Sequence, residues 1–182
     1  VDLGGRLQHA ATIPSLKALL LGLGKAETVT TSGALRMNNT DTVEDRLRAA
    51  GLTLPDREGP SFDYDPYKCY GDTVYLSGIL GKENGAVQNT GKVGAEIGQK
   101  EAGRQMQICS LQALNWLKQA AQGELDRISG ILQMRAYVAC TPHFEGISQV
   151  ADHASRVFVT AFGNAGRHPR SVLGMMRLPQ DA

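Results

Sequence analysis

The sequence predicts an α+β fold in the order β-β-α-β-α-β, with both helices acting as crossovers on one side of a mixed sheet. Two observations carry that reading. Apolar residues recur at three- and four-residue steps through two long segments, about 95–122 and 144–162. Between and around them lie short segments of strand period, Thr73 to Leu80, Ile131 to Thr141 and Ser171 to Leu178, bounded by Gly, Pro and Asn-Gly.

Residues 1–40 differ in composition from the rest of the chain. Arg6, Lys17, Lys25 and Arg36 stand against only Asp2 and Glu27, and the apolar patch Leu19-Leu20-Leu21-Gly22-Leu23 is short. This segment is read as an N-terminal extension to a domain spanning 41–182. A transit-peptide remnant, a non-native upstream segment and a marginal helix all remain open as its origin. Asp41 or Thr42 can cap a short helix over Val43 to Ala50, which Gly51 ends. Phe62 to Tyr70 is aromatic but broken by Pro66, an edge strand at best.

Thr73 to Leu80 reads as a clear strand. Val74, Leu76 and Leu80 share one face, and Thr73, Tyr75, Ser77 and Ile79 the other. Gly78 inside it marks a bulge or the close approach of another group. Asn84-Gly85 is a hairpin turn signal. Gly91-Lys92-Val93-Gly94 fails as a phosphate loop, because Val follows the lysine and the Walker spacing is absent.

The first long helix presents Ala102, Met106, Cys109, Ala113, Leu117 and Ala120 as its apolar stripe, with Gln112 among the polar residues elsewhere on the wheel; Gly123 stops it. In the next strand Leu132, Met134, Ala136, Val138 and Cys140 form an apolar face under the helices, opposite Gln133, Arg135, Tyr137 and Ala139. The second helix carries a broad stripe that includes Ile147, Val150, Ala154, Val157, Phe158 and Ala161. The last strand, Ser171 to Leu178, is apolar on both faces. Leu173 and Met175 therefore need cover that another subunit could give.

Composition narrows the function classes. With 42% hydrophobic and 20% charged residues the chain suits a globular domain, and a net charge of +1 gives no electrostatic case for nucleic acid or an anionic membrane. No apolar run approaches the ~20 residues that span a bilayer. Cys69, Cys109 and Cys140 are odd in number and lack C-x-x-C spacing, as expected of reduced thiols in a reducing compartment. That compartment is the cytoplasm, or the mitochondrion if the extension is a transit peptide. His143, His153 and His168 show no metal-ligand spacing.

The segment with most chemical content is Gly163-Asn164-Ala165-Gly166-Arg167-His168-Pro169-Arg170-Ser171. Pro169 fixes its own φ and biases His168 to extended geometry, which holds Arg170 stiffly where a loop becomes a strand. A guanidinium there is placed to fork onto a carboxylate. An ordinary arginine opening a strand fits the same spacing.

Taken together, several features resemble the RidA/YjgF/YER057c/UK114 family. They are the order of elements, Tyr64 fourteen positions before Gly78, Leu76-Ser77-Gly78, and Pro169-Arg170-Ser171 followed by Arg177-Leu178-Pro179. Gly166-Arg167-His168 and Gly51-Leu52-Thr53-Leu54-Pro55 look closer to the branch labelled endoribonuclease L-PSP. The resemblance covers Val43 to the C-terminus. It implies a chorismate-mutase-like fold and a barrel-like homotrimer with clefts between subunits. It also implies cofactor-free hydrolysis of small 2-imino acids, or their enamine tautomers, to 2-keto acids and ammonia. By position Arg170 matches the arginine holding the substrate carboxylate, while Tyr64, Ser77 and Gly78 match residues lining the cleft.

Two departures qualify what is implied. Val172 stands where the best-known deaminases carry a cysteine. The family's final strand, with the glutamate that positions the hydrolytic water, has no counterpart before Ala182, so either the chain is truncated or another group does that work. Truncation would leave a sheet edge unpaired. Beside the deaminase stand two alternatives, a non-catalytic trimeric binder of small keto or imino acids and an endoribonuclease or translation inhibitor.

Overall fold

The computed structural model describes residues 41–55 and 63–182; the expected N-terminal extension lies outside them. Helix α1, Val43–Ala49, is followed by strands β1 (Tyr67–Tyr70), β2 (Thr73–Leu76), β3 (Lys82–Glu83) and β4 (Ala86–Val87). Then come α2 (Gln99–Ala120), β5 (Met134–Ala139), α3 (Ile147–Phe162) and β6 (Arg170–Met175). The α+β class is as the sequence predicts, with α1 and the β3–β4 hairpin added to the main order.

Thr42 closes the start of α1 with a capping box. Its hydroxyl accepts the Asp45 N–H at 3.1 Å, and the Asp45 carboxylate accepts the Thr42 N–H at 3.1 Å. Asp126, far along the chain, takes the Val43 N–H at 3.2 Å and ties this end down. The helix buries Val43 and Leu47 in a core shared with Leu114 and Leu117 of α2 and with Val157, Phe158 and Ala161 of α3.

The α3 stripe is buried as its period requires, from Val150 to Ala161, and Gly163, at φ +58°, ends the helix. The α2 pattern needs correction. Leu114, the most deeply buried residue of the helix, lies outside the predicted stripe, as do the buried Ile108 and Leu111, while Met106 and Cys109 within it are only half-buried. Gln112, placed on the polar side, is buried and donates from Nε2 to the Lys82 carbonyl at 2.8 Å. The cause is that α2 packs α3 on one side and β1, β2 and β3 on others, so no single stripe describes it. At the helix crossing Gly103 gives passage to His153. A Cβ there would stand 2.5 Å from the imidazole.

The sheet departs most from expectation. In place of one mixed sheet there are three two-stranded ones, β1–β2 and β3–β4 antiparallel and β5–β6 parallel. Asn84 and Gly85, both at positive φ, make the predicted hairpin turn. The three longer strands are each shorter than predicted, and proline explains two of the ends. Ser77 donates its N–H to the Pro66 carbonyl at 2.9 Å, but Pro66 has no N–H to return, so the β1–β2 ladder stops at Tyr67 opposite Leu76. Likewise Met134 donates to the Pro169 carbonyl at 3.1 Å and pairing begins at Arg170. Leu132, expected on the apolar face of β5, therefore lies before the strand and is 74% exposed. Met176, beyond the end of β6, is 82% exposed.

Candidate functional site

A cleft of about 1650 Å³ runs between β2 and β5 over the surface of α2. Its floor includes Ala102, Met106, Cys109, Ala113 and Leu117, the stripe the sequence assigns to sheet packing. Three of the four sequence-predicted residues, Tyr64, Ser77 and Gly78, line this cleft. Tyr64 is half exposed. The Ser77 hydroxyl donates to the Asp65 carbonyl at 2.7 Å, which leaves its oxygen as an acceptor. A Cβ at Gly78 would meet nothing within 4 Å, so open space stands before that backbone.

Arg170 is placed elsewhere. Its neighbour Pro169 lines the cleft and it does not. From the first residue of β6 the side chain crosses to α3 and is 25% exposed. Nη2 meets Asp152 Oδ1 at 2.7 Å and the Ser148 carbonyl at 3.3 Å, and Nη1 donates to Ser155 Oγ at 3.0 Å. These contacts use three of the five N–H donors a guanidinium carries. The predicted fork is thus met inside the chain by a single carboxylate oxygen.

His168 locks the arrangement from behind. Its Nδ1 lies 2.7 Å from the Gly166 carbonyl, which can only accept, so the proton sits on Nδ1. In the neutral ring Nε2 is then an acceptor for the Ser155 hydroxyl at 3.3 Å. Phe158 packs edge-on against the imidazole with ring centroids 5.6 Å apart. Sequence reading missed Asp152 and Ser155 as partners. Their signal was present, since Ser148, Asp152 and Ser155 recur at helical steps as a polar stripe on α3. What the sequence lacks is the β5–β6 register that swings Arg170 across it.

Cys109 lies on the cleft floor, where burial favours the protonated thiol. Desolvation pushes its thiol up to about 12. Among the described residues no three His, Cys, Asp or Glu side chains are grouped to hold a metal ion. No described helix is long and apolar enough to cross a membrane.

Residues 44–182 match the model of a family described as "YjgF/chorismate mutase-like, putative endoribonuclease". Protein TCP17 of Trypanosoma cruzi is 34% identical over 134 residues, which are 73% of this chain and 83% of TCP17. Among solved structures, protein Atu1372 of Agrobacterium tumefaciens, described as of unknown function, superposes with a TM-score of 0.71. It is 34% identical, and the match covers 78% of this chain and 88% of that one. A putative endoribonuclease from Shewanella oneidensis MR-1 superposes at 0.73 with 31% identity, covering 78% and 93% of the two chains.

Proposed function

The chain belongs to the YjgF/chorismate mutase-like family, and from that premise we propose that it hydrolyses small 2-imino or enamine acids to 2-keto acids and ammonia. The observation that carries this reading is Arg170, braced by Asp152, Ser155 and the Ser148 carbonyl with two N–H donors still to give. A braced guanidinium fixes the direction from which a small carboxylate docks, and so fixes where the adjacent imine carbon sits.

The chemistry needs little more. Water adds to the electrophilic C=N carbon. The carbinolamine then collapses, with its nitrogen leaving as ammonia and its oxygen becoming the ketone. Ser77 Oγ, already donating to Asp65, has a lone pair for that water or for the imine N–H. Open space at Gly78 lets the substrate approach the backbone closely.

Arg170 and the Tyr64–Ser77–Gly78 group act together if neighbouring copies share a cleft, in a homotrimer. Exposed side chains on the outer sheet face support that assembly. Tyr137 on β5 stands directly across from Leu173 on β6, 42% and 49% exposed, and Tyr75 on β2 is 61% exposed. An RNA-directed role is disfavoured by the near-neutral charge.

The test generates 2-iminopropanoate with an amino-acid oxidase and follows semicarbazide trapping. Wild type should suppress trapping, and Arg170→Ala should lower kcat/KM by about 10- to 100-fold, the worth of a charge-assisted hydrogen bond. Wild type and variant behaving alike would remove the proposal. A salt-sensitive RNA footprint in its place would favour the ribonuclease reading.

A further inference from the structure

We propose that Ser155 is a nucleophile, with His168 as its general base and Arg170 facing the developing oxyanion, and that this group cleaves short-chain acyl esters. This goes beyond the deaminase reading, in which Ser155 and His168 only brace the arginine.

The direction of the hydroxyl is the first observation. A serine inside a helix commonly donates to the carbonyl four residues back, and Ser110 of α2 does so, to Met106 at 2.8 Å. Ser77 likewise gives its proton to a backbone carbonyl, that of Asp65. Ser155, in the middle of α3, turns outward instead. Its Oγ lies 3.3 Å from His168 Nε2 and 3.0 Å from Arg170 Nη1. The guanidinium can only donate, so the hydroxyl proton is left for the imidazole. His168 is set to receive it. With its own proton on Nδ1, held by the Gly166 carbonyl at 2.7 Å, Nε2 presents a lone pair. Phe158, buried and edge-on to the ring, fixes its plane. Nucleophile, base and a third group that orients the base form one hydrogen-bonded chain, the arrangement by which activated serines are recognised on unrelated folds.

The chemistry needs no further reactant but water. A lone pair of Oγ adds to the ester carbonyl carbon as the O–H proton passes to Nε2. The carbonyl oxygen becomes an oxyanion one bond beyond the new C–O link, where a spare Arg170 N–H can donate to it. The C–O bond to the alcohol then breaks, and the imidazolium proton leaves with the alcohol. Water, deprotonated by the same nitrogen, releases the acyl group as a carboxylic acid. Ser155 and His168 are half-buried, and the Arg170 and Asp152 side chains beside them are 25% and 43% exposed, so a short acyl chain can reach the group from solvent.

Two probes test this on the full chain. A fluorophosphonate should lose fluoride and leave about one phosphonyl group per chain, which peptide mass mapping should place on Ser155. With p-nitrophenyl acetate, Ser155→Ala should lower kcat about 100-fold or more. His168→Gln, which keeps a polar side chain but offers no base, should lower kcat similarly with KM unchanged. A serine that only braces Arg170 would take no phosphonyl group, and its variants would hydrolyse the ester as the wild type does. Where a variant does not fold by circular dichroism, the adduct mapped on the wild type decides alone. No adduct at millimolar probe, an adduct on another residue in place of Ser155, or ester hydrolysis that survives Ser155→Ala unaltered would each overturn the proposal.

Discussion

Asp152 competes with any incoming carboxylate for Arg170. The pair is partly solvated, with side chains 25% and 43% exposed, so its mutual attraction amounts to about 0–1 kcal/mol. Asparagine keeps a bracing oxygen at that position while removing the negative charge that opposes a second carboxylate at the two remaining donors. Asp152→Asn should therefore tighten 2-ketobutyrate binding by about two- to fivefold in calorimetry. A purely structural pair would give unchanged or weaker binding on the same substitution. Gly166 shows why this segment tolerates no ordinary residue. A Cβ there would overlap the Phe158–Val159 backbone, with Val159 N at 2.9 Å, and backbone cannot swing aside as a side chain can. Arg170 and the glycines beside it were legible in the sequence as a stiff turn entering a strand. The partners of the guanidinium were not, because they depend on which α3 face the first residue of β6 crosses.

At the scale of elements, helix ends were the most legible feature. Gly123 and Gly163 sit at positive φ where the helical period stops, because only a residue without a Cβ takes that conformation freely. Strand ends were less so. Pro66 and Pro169 are visible on their own strands, but each also ends the ladder of a partner that sequence alone does not identify. The α2 stripe misled for a related reason. A single-face analysis finds the face with the cleanest period, whereas α2 has neighbours on several sides and its deepest residue, Leu114, faces the shared core.

The α1 cap yields a prediction at this scale. Thr42→Ala removes the hydroxyl half of the capping box and should lower Tm by about 2–4 °C. Hydrogen bonds from the Thr42 side chain, then its backbone, and from Arg48 hold the Asp45 carboxyl below its ordinary value of 3.8. A depressed folded-state pKa stabilises fully above the unfolded value and is lost as pH falls through the folded one. The wild type minus variant difference in thermal denaturation should thus be constant from pH 7 to 5 and shrink below about pH 4. A difference that grows on acidification would contradict the cap.

For the whole molecule, the α+β architecture followed from periodicity, and the interrupted sheet did not. Hydrophobic alternation predicts that a segment is a strand but carries no information on whether two strands lie close enough to pair, so the gap between β2 and β5 was invisible. The same gap and the exposed Tyr137–Leu173 pair are two surfaces that the described residues do not cover. In the proposed trimer Arg170 of one copy and the Tyr64, Ser77 and Gly78 wall of another share a cleft, and the account rests on that shared grip on a small organic anion. Calorimetric titration of 2-ketobutyrate into wild type and Arg170→Ala tests it most directly. Saturable binding to the wild type, weakened about tenfold or more by the substitution, is the predicted result; equal affinity for both proteins would contradict it.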